Sequence, residues 1–187
     1  MFTPATFVYL LWLASEIILN RIMRGSSSDK QRKDSGSLVI IWVVIIVSLV
    51  AAGNIAALNR TPICQSYTTM LYTGLVTILL GVALRLAAVL SLGKYFTVAV
   101  RIREGHQVKT DGMYKLVRHP SYAASLLSFI GYGISLNNWF SLAVTVIPVF
   151  AAFIYRMNVE EKVLLENFGQ EYSDYMERTK RLVPFVY

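Results

Sequence analysis

The stretch PSYAASLLSFIGYGISLNNWFSLAVTVIPVFAAFIYR, residues 120–156, decides how this chain folds. It consists of two apolar runs, 120–136 and 139–156, separated only by Asn137 and Asn138. Asparagine is favoured in tight turns, and this turn carries no charge. The pattern predicts a helical hairpin, which brings the polar segments on its two sides to the same end.

Three further apolar runs precede the hairpin, at residues 5–23, 38–58 and 68–91. A helix needs about 20 apolar residues to cross the hydrocarbon core of a bilayer. The chain is 55% apolar with a mean hydropathy of +0.51, which is high for a soluble protein of this size. We therefore predict an all-α, polytopic transmembrane protein with about five spans and a cytoplasmic amphipathic C-terminal helix.

The basic residues lie between the apolar runs. The net charge is +7, and the lysines and arginines concentrate after the first run, in the connector at 92–119 and in the C-terminal tail. The loops at 59–67 and 137–138 are nearly uncharged. Because positive loops face the cytoplasm, five spans place the N-terminus outside and the connector and tail inside. The charge thus predicts contact with a lipid bilayer and no nucleic-acid partner.

The cysteine count and the absence of several common motifs argue against some classes of chemistry. The single cysteine, Cys64, allows neither a disulfide nor a cysteine zinc site within the chain. The sequence contains no G-x-G-x-x-G loop, Walker motif, H-E-x-x-H or G-x-S-x-G element. We therefore predict no metal, no soluble-type nucleotide cradle and no familiar hydrolase nucleophile.

The segment before the hairpin is the most polar part of the chain. Residues 106–122 read HQVKTDGMYKLVRHPSY and contain both histidines of the protein, His106 and His119. Because proline is favoured in the first turn of a helix, Pro120 predicts the start of the fourth helix. The clustering of both imidazoles marks this segment as a candidate ligand site.

The chain changes character after the hairpin. From Asn158 onward, charged side chains supply a polar face and apolar ones recur at helical spacing, which predicts an amphipathic helix bent near Gly169. Arg156 and Glu160 are four residues apart and so share a helix face. This face and the basic connector together are suited to a zwitterionic or cationic small molecule and a lipidic partner from the bilayer.

Two charges fall inside apolar runs. A carboxylate inside a span is costly, so Glu16 is either a functional group or one that sits near the interface or in a structural pair. Arg85 lies roughly two turns from the end of the third run. It either extends toward the headgroups or meets Glu16 in the bundle interior.

Four short motifs before the hairpin, LGKYFTV at 92–98, GHQV at 105–108, TDGMY at 110–114 and RHPSY at 118–122, resemble those of the isoprenylcysteine carboxyl methyltransferase family. The resemblance covers residues 74–185, and the first two spans carry no family motif. A second block after the hairpin resembles the C-terminal signature of that family in the same order: Arg156, Glu160, Glu161, Leu164, Phe168, Gly169, Glu171, Tyr172 and Tyr175.

The resemblance implies a multi-pass enzyme that transfers a methyl group from S-adenosyl-L-methionine to a carboxylate and releases S-adenosyl-L-homocysteine. The implied substrate is a lipophilic carboxylate, such as a prenylcysteine, that enters from the membrane. The implied site faces the cytoplasm, in the plasma or inner membrane of a prokaryote or the endoplasmic reticulum of a eukaryote. We interpret residues 1–187 as one integral membrane domain, with N-terminal spans at 1–67 and a methyltransferase core at 68–187.

The motif positions also imply residue roles. Arg156 and Glu160 would lie at the reaction centre, where Arg156 would hold the substrate carboxylate and Glu160 would temper its charge. The residues that the resemblance places around the cofactor are His106, Gln107, Val108, Tyr114, His119, Tyr122 and Glu161.

Each of these residues also has a plainer interpretation. His119 could simply cap the fourth span, and His106 could bond only to backbone. Tyr114 and Tyr122 could be interfacial aromatics, and the glutamates at 160–161 could be charges favoured at a helix start. At the level of the whole protein, the alternatives are an NADPH-dependent membrane reductase of the steroid-reductase type and a non-enzymatic membrane adaptor that binds anionic headgroups.

Overall fold

The computed structural model describes residues 3–22, 36–58, 61–92 and 108–184. Apart from one isolated β-bridge, the regular structure in these ranges is helical, which confirms the all-α prediction for this part of the chain. The elements are α1 (Pro4–Ile22), α2 (Gly36–Ala57), α3 (Tyr67–Leu92), a 3₁₀ turn (Gly112–Lys115), α4 (Pro120–Ser135), α5 (Trp139–Phe168) and α6 (Gln170–Arg178).

Three helices are long and apolar enough to cross a membrane, namely Leu38–Ala57, Tyr67–Leu92 and Trp139–Phe168. The apolar part of α1, Pro4–Leu19, is shorter. Helix α4 has 16 residues, and at the α-helical rise this corresponds to roughly 24 Å, against about 30 Å of hydrocarbon. The helices support an integral membrane protein, whereas the count of five spans and their orientation stay predictions.

The fifth predicted span ends later than expected. The change in composition near residue 156 suggested an end there, but α5 continues without a break to Phe168. Residues 157–168 contain neither glycine nor proline and are rich in good helix formers, so the backbone has no reason to stop. The helix ends at Gly169, whose φ of 52° is accessible to glycine at little cost.

The predicted hairpin is confirmed, and its turn is held by side-chain hydrogen bonds. Asn137 adopts a φ of 50°, and its Oδ1 accepts from the backbone N–H groups of Ile63 at 3.1 Å and Cys64 at 3.0 Å. Asn138 caps α5 by accepting from the N–H of Ser141 at 3.0 Å. The turn therefore also fixes the short segment between α2 and α3.

Small residues allow the helices to approach closely. Helices α3 and α4 meet through Gly74, Gly81 and Gly131, and a Cβ on Gly131 would lie 2.7 Å from the backbone nitrogen of Ile78. Such contacts are the usual basis of helix association in membranes. Between α5 and α2, the Ser141 hydroxyl donates to the carbonyl of Ala52 at 2.8 Å.

The core lies where α1 to α5 converge. Trp12 of α1 packs edge-on against Phe129 of α4, with ring centroids 5.0 Å apart. Phe153 of α5 also packs edge-on against Phe129, with ring centroids 6.1 Å apart. The buried cluster comprises Trp12, Ile41, Leu75, Ile78, Val82, Phe129, Val149, Ala152 and Phe153.

Candidate active site

A cavity of about 450 Å³ opens beside this core. Its volume lies in the range of sites for small molecules, about 300–1,000 Å³. Lining residues from α1 and α2, here called the apolar wall, include Trp12, Leu13, Leu38, Ile41, Ile45 and Leu49. Lining residues from 108–122 and α5, here called the polar wall, include Lys109, Tyr114, Arg118, His119, Tyr122 and Glu160.

The first part of the polar wall is held by a tight turn. Lys109 and Asp111 form an ion pair at 2.8 Å, and their hydrogen bond lowers the pKa of Asp111. Gly112 then turns the chain with a φ of 55°. Tyr114, which follows, is buried and donates to the carbonyl of Ala88 at 3.3 Å. Burial raises the pKa of Tyr114, so its hydroxyl stays protonated.

Helix α6 packs against this turn. The Tyr175 hydroxyl donates to the backbone carbonyl of Tyr114 at 2.6 Å. Tyr172 and Tyr175 are both buried, and burial raises the pKa of Tyr175 to about 12. Both tyrosines also line the cavity, so this helix forms part of the site.

Glu160 is the carboxylate on the cavity side of α5. Its Oε1 accepts from the Tyr122 hydroxyl at 2.7 Å and from Arg156 Nε at 3.3 Å. Its Oε2 lies 3.6 Å from His119 Nδ1. With its side chain 18% exposed, Glu160 remains accessible to a ligand while three neighbours hold it in place.

Glu161 is deeper, with a side chain only 4% exposed, and has a different set of partners. Its Oε1 accepts from Arg118 Nε at 3.0 Å and lies 3.1 Å from His119 Nε2. Its Oε2 accepts from Arg181 Nη2 at 2.6 Å. Both oxygens of Glu161 are therefore engaged by protein groups, and His119 lies between the two glutamates.

Two arginines differ sharply in their access to the cavity. The side chain of Arg156 is 0% exposed and is not among the described groups that line the cavity. Arg85 does line it, pairs with Glu16 at 2.8 Å and donates to the carbonyl of Ser121 at 3.3 Å. Of the two alternatives for Arg85, the pairing with Glu16 is the one observed.

The structure thus brings most of the sequence-predicted site residues together. Val108, Tyr114, His119, Tyr122 and Glu160 line the cavity. The other predicted residues fall into two sets: Arg156 and Glu161 lie behind the lining side chains, and His106 and Gln107 lie outside the described residues.

Sequence reasoning missed two residues that contact the predicted site residues, Arg118 and Arg181. Arg118 stands in the RHPSY motif, but nothing local indicated that it would bind Glu161. Arg181 lies in the C-terminal tail, where the sequence showed no motif around it. Arg85 was singled out for its charge inside an apolar run, a signal that identifies a residue without giving its place in the site.

The donor set suits an organic ligand with mixed polarity. Phenol, imidazole, guanidinium and carboxylate groups meet an apolar surface in one cavity. In the part of the chain that the structure describes, no three His, Cys, Asp or Glu side chains cluster in a way that could hold a metal ion.

The fold and the cavity define an integral membrane protein with a cavity of mixed polarity beside a helical hairpin. Comparison with known proteins identifies the family to which the chain belongs. The model of the isoprenylcysteine carboxyl methyltransferase (ICMT) family matches residues 72–166, about half of the chain. The chain belongs to this family, which confirms the resemblance seen in its motifs.

Individual relatives agree with this assignment. Over 115 residues, the chain is 37% identical to protein-S-isoprenylcysteine O-methyltransferase B of Arabidopsis thaliana, covering 60% of this chain and 58% of that protein. Over 127 residues, it is 33% identical to protein-S-isoprenylcysteine O-methyltransferase of Mus musculus, covering 67% and 45%. The chain thus matches less than two thirds of the length of these relatives.

A solved structure shares the fold. It is described as the eukaryotic intramembrane Ras methyltransferase ICMT without a monobody, and it superposes with a TM-score of 0.60. The similarity covers 98% of this chain and 68% of that one, at 22% sequence identity. The N-terminal helices, which lie outside the family match, are therefore part of the same fold.

Proposed function

We propose that this protein transfers a methyl group from S-adenosyl-L-methionine to the carboxylate of a lipidic acceptor, such as a prenylcysteine. The observation that carries the proposal is the juxtaposition of the polar wall and the apolar wall in one cavity. A polar cofactor and the hydrocarbon chain of an acceptor can thus share one space. Membership of the isoprenylcysteine carboxyl methyltransferase family supports the same reaction.

The polar wall fits the cofactor. S-adenosyl-L-methionine supplies an activated methyl group when bound. Hydroxyl, imidazole and carboxylate groups of the polar wall complement an amino-acid moiety and sugar hydroxyls, and the tyrosine rings offer faces for a base. The residues that we propose to hold it directly are His106, Gln107, Val108, Tyr114, His119 and Tyr122. We assign Glu161 an indirect role, because its oxygens already bind Arg118, His119 and Arg181.

On the acceptor side, the main task of the protein is to position the reacting carboxylate. A carboxylate is already ionised and nucleophilic at pH 7, so orientation and exclusion of water contribute more than a general base. Arg85 is the guanidinium of α3 that lines the cavity, and we propose that it attracts the acceptor carboxylate. Arg156 then acts through Glu160, which it contacts at 3.3 Å, since Arg156 itself is fully buried.

An anionic acceptor suits the basic surroundings of the two glutamates. Arg118 and Arg181 contact Glu161, and Arg156 contacts Glu160. The apolar wall would accept the acceptor's chain directly from the bilayer. We further propose that the site faces the cytoplasm, in the plasma or inner membrane of a prokaryote or the endoplasmic reticulum of a eukaryote.

Titration of the purified protein with S-adenosyl-L-homocysteine and with NADPH tests the cofactor. We expect saturable binding of S-adenosyl-L-homocysteine and no saturable binding of NADPH. Saturable binding of NADPH alone would instead identify a reductase, and binding of neither would favour an adaptor. Transfer of radiolabelled methyl groups to a prenylcysteine analogue, compared with a total lipid extract, then identifies the acceptor class.

A further inference from the structure

Residues 179–182, here called the strap, run beside the start of α4. The backbone N–H of Arg118 donates to the carbonyl of Lys180 at 2.7 Å, and that of His119 donates to the carbonyl of Arg181 at 3.0 Å. The side chain of Arg118 also donates to the carbonyl of Thr179. The strap therefore fixes the backbone that carries two side chains of the polar wall.

The strap is anchored at both ends. Thr179 is buried, and its hydroxyl donates to the carbonyl of Tyr175 in α6 at 2.7 Å. Leu182 is also buried. The residue between these anchors that points into the glutamate cluster is Arg181, whose Nη2 lies 2.6 Å from Glu161 Oε2. The position of Arg181 is thus set by packing on both sides.

Glu161 links this arginine to the cavity. Its Oε2 binds Arg181, while its Oε1 binds Arg118 and His119, both of which line the cavity. A carboxylate held at one oxygen alone can rotate, whereas one held at both oxygens keeps its plane. Contact with the strap therefore determines how firmly Glu161 orients the two cavity side chains.

We propose that Arg181 is a positioning residue for cofactor binding. It fixes Glu161, and Glu161 in turn fixes the side chains of Arg118 and His119 at the polar wall. The inference rests on the proposed function, and it extends the site beyond residues 72–166, the part that the family model matches. On this view the C-terminal strap is a component of the active site as well as a packing segment.

Three full-length variants test this role. Arg181→Met removes the charge and keeps most of the side-chain volume. Arg181→Lys keeps the charge but replaces the planar guanidinium with an ammonium group. Lys162→Met is the control, because Lys162 is an exposed cation next to Glu161 in sequence. For each purified protein, the Kd of S-adenosyl-L-homocysteine, the KM of both substrates and kcat are measured.

We expect Arg181→Met to raise the Kd of S-adenosyl-L-homocysteine about tenfold, the low end for a charge-assisted hydrogen bond, because the arginine is 24% exposed. The KM of the acceptor should change less than that of the cofactor. Arg181→Lys should recover part of the affinity, and Lys162→Met should match the wild type. A purely structural role would not produce this split between the two KM values.

The outcomes separate the inference from the function on which it rests. If the wild type does not bind S-adenosyl-L-homocysteine, the proposed function fails. If the wild type binds it and Arg181→Met binds equally well, only the role of Arg181 is overturned. Equal losses in Arg181→Met and Lys162→Met would also overturn it, as a general charge effect. Should Arg181→Met not fold, Arg181→Gln takes its place, and wild-type affinity in that variant counts against the inference.

Discussion

Two neighbouring glutamates differ in the groups that surround them. Glu160 and Glu161 are equivalent as a sequence motif, but adjacent positions on a helix point about 100° apart. Glu160 consequently faces the cavity beside Tyr122, whereas Glu161 faces Arg118 and the C-terminal segment. His119 lies between them and couples the two.

The hydroxyl of Tyr122 offers a test of the cavity-side carboxylate. Tyr122→Phe removes the donor that lies 2.7 Å from Glu160 Oε1 and preserves the ring. Loss of a hydrogen bond to a charged group costs about 1.5–3 kcal/mol, so we expect kcat/KM for methyl transfer to fall roughly tenfold or more. The measurement is steady-state methyl transfer with both substrates varied in turn.

Tyr155→Phe is the matched control for this substitution. Tyr155 lies on α5 with 51% of its surface exposed and does not line the cavity. Wild-type kinetics in Tyr155→Phe and a reduced rate in Tyr122→Phe would support the role of the hydroxyl. Equal rates in the two variants would show that Glu160 does not need this donor.

Among the helices, the pair α3 and α4 determines the geometry of the site. Helix α3 carries Arg85, and α4 begins at the polar wall. The separation of the two helices therefore sets the distance between Arg85 and the polar wall. The two backbones approach closely at glycines. A side chain at Gly74 or Gly131 would collide with the opposite helix. The sequence shows these glycines, but not which of them lie at the contact.

Gly131→Ala should destabilise the protein. The added Cβ would lie 2.7 Å from the backbone nitrogen of Ile78 and 2.8 Å from the carbonyl oxygen of Gly74, so the helices must separate. Overpacking of this kind costs about 1–3 kcal/mol. We expect a lower Tm in detergent than that of Gly53→Ala, and reduced methyl transfer.

Gly53→Ala supplies the comparison. Gly53 lies inside α2, and a Cβ there meets only the Tyr132 hydroxyl at 3.9 Å, an ordinary contact. Both substitutions gain about 1 kcal/mol of helix propensity, so the difference between the two Tm values reports the packing alone. A Tm for Gly131→Ala equal to that of Gly53→Ala would contradict the close contact.

In the molecule as a whole, the N-terminal helices complete a site whose motifs lie elsewhere. Helices α1 and α2 are outside the family-matched residues 72–166, yet they supply the apolar wall. The Glu16–Arg85 ion pair connects α1 to α3 beside the cavity. We therefore expect the choice of acceptor to depend on α1 and α2, and cofactor binding to depend on the hairpin and its flanks.

Ile45→Phe tests this division. Ile45 lines the cavity from α2, so a larger ring should obstruct a long acceptor chain. We expect the KM of a long-chain prenylcysteine analogue to rise about tenfold, a size of effect typical of a change in pocket volume, with the Kd of S-adenosyl-L-homocysteine unchanged. A short-chain analogue should be affected less.

The neighbouring residue provides the control for this prediction. Ile46 is 57% exposed, and the same substitution there, Ile46→Phe, adds the same ring outside the cavity. Its kinetics should equal those of the wild type. Two results would contradict the assignment of acceptor choice to α1 and α2. The two variants could respond alike, or Ile45→Phe could weaken cofactor binding instead.

The helical membrane class and the hairpin could be predicted from the amino-acid pattern, and the family resemblance implied that His119, Tyr122 and Glu160 lie together. The class and the hairpin follow from local properties, namely the length of the apolar runs and the turn residues. The extent of α5 was harder to predict, because composition changes at residue 156 while the backbone remains favourable for a helix.

The pairing of the charged side chains depends on the packing of the helices. Arg181 reaches Glu161, Arg85 reaches Glu16, and Arg156 is buried behind Glu160. A linear pattern can offer candidate partners for a buried charge, but it cannot select among them, because an ion pair between distant residues forms only when the helices bring them together. The positions of the helices therefore determine which of the arginines face the cavity.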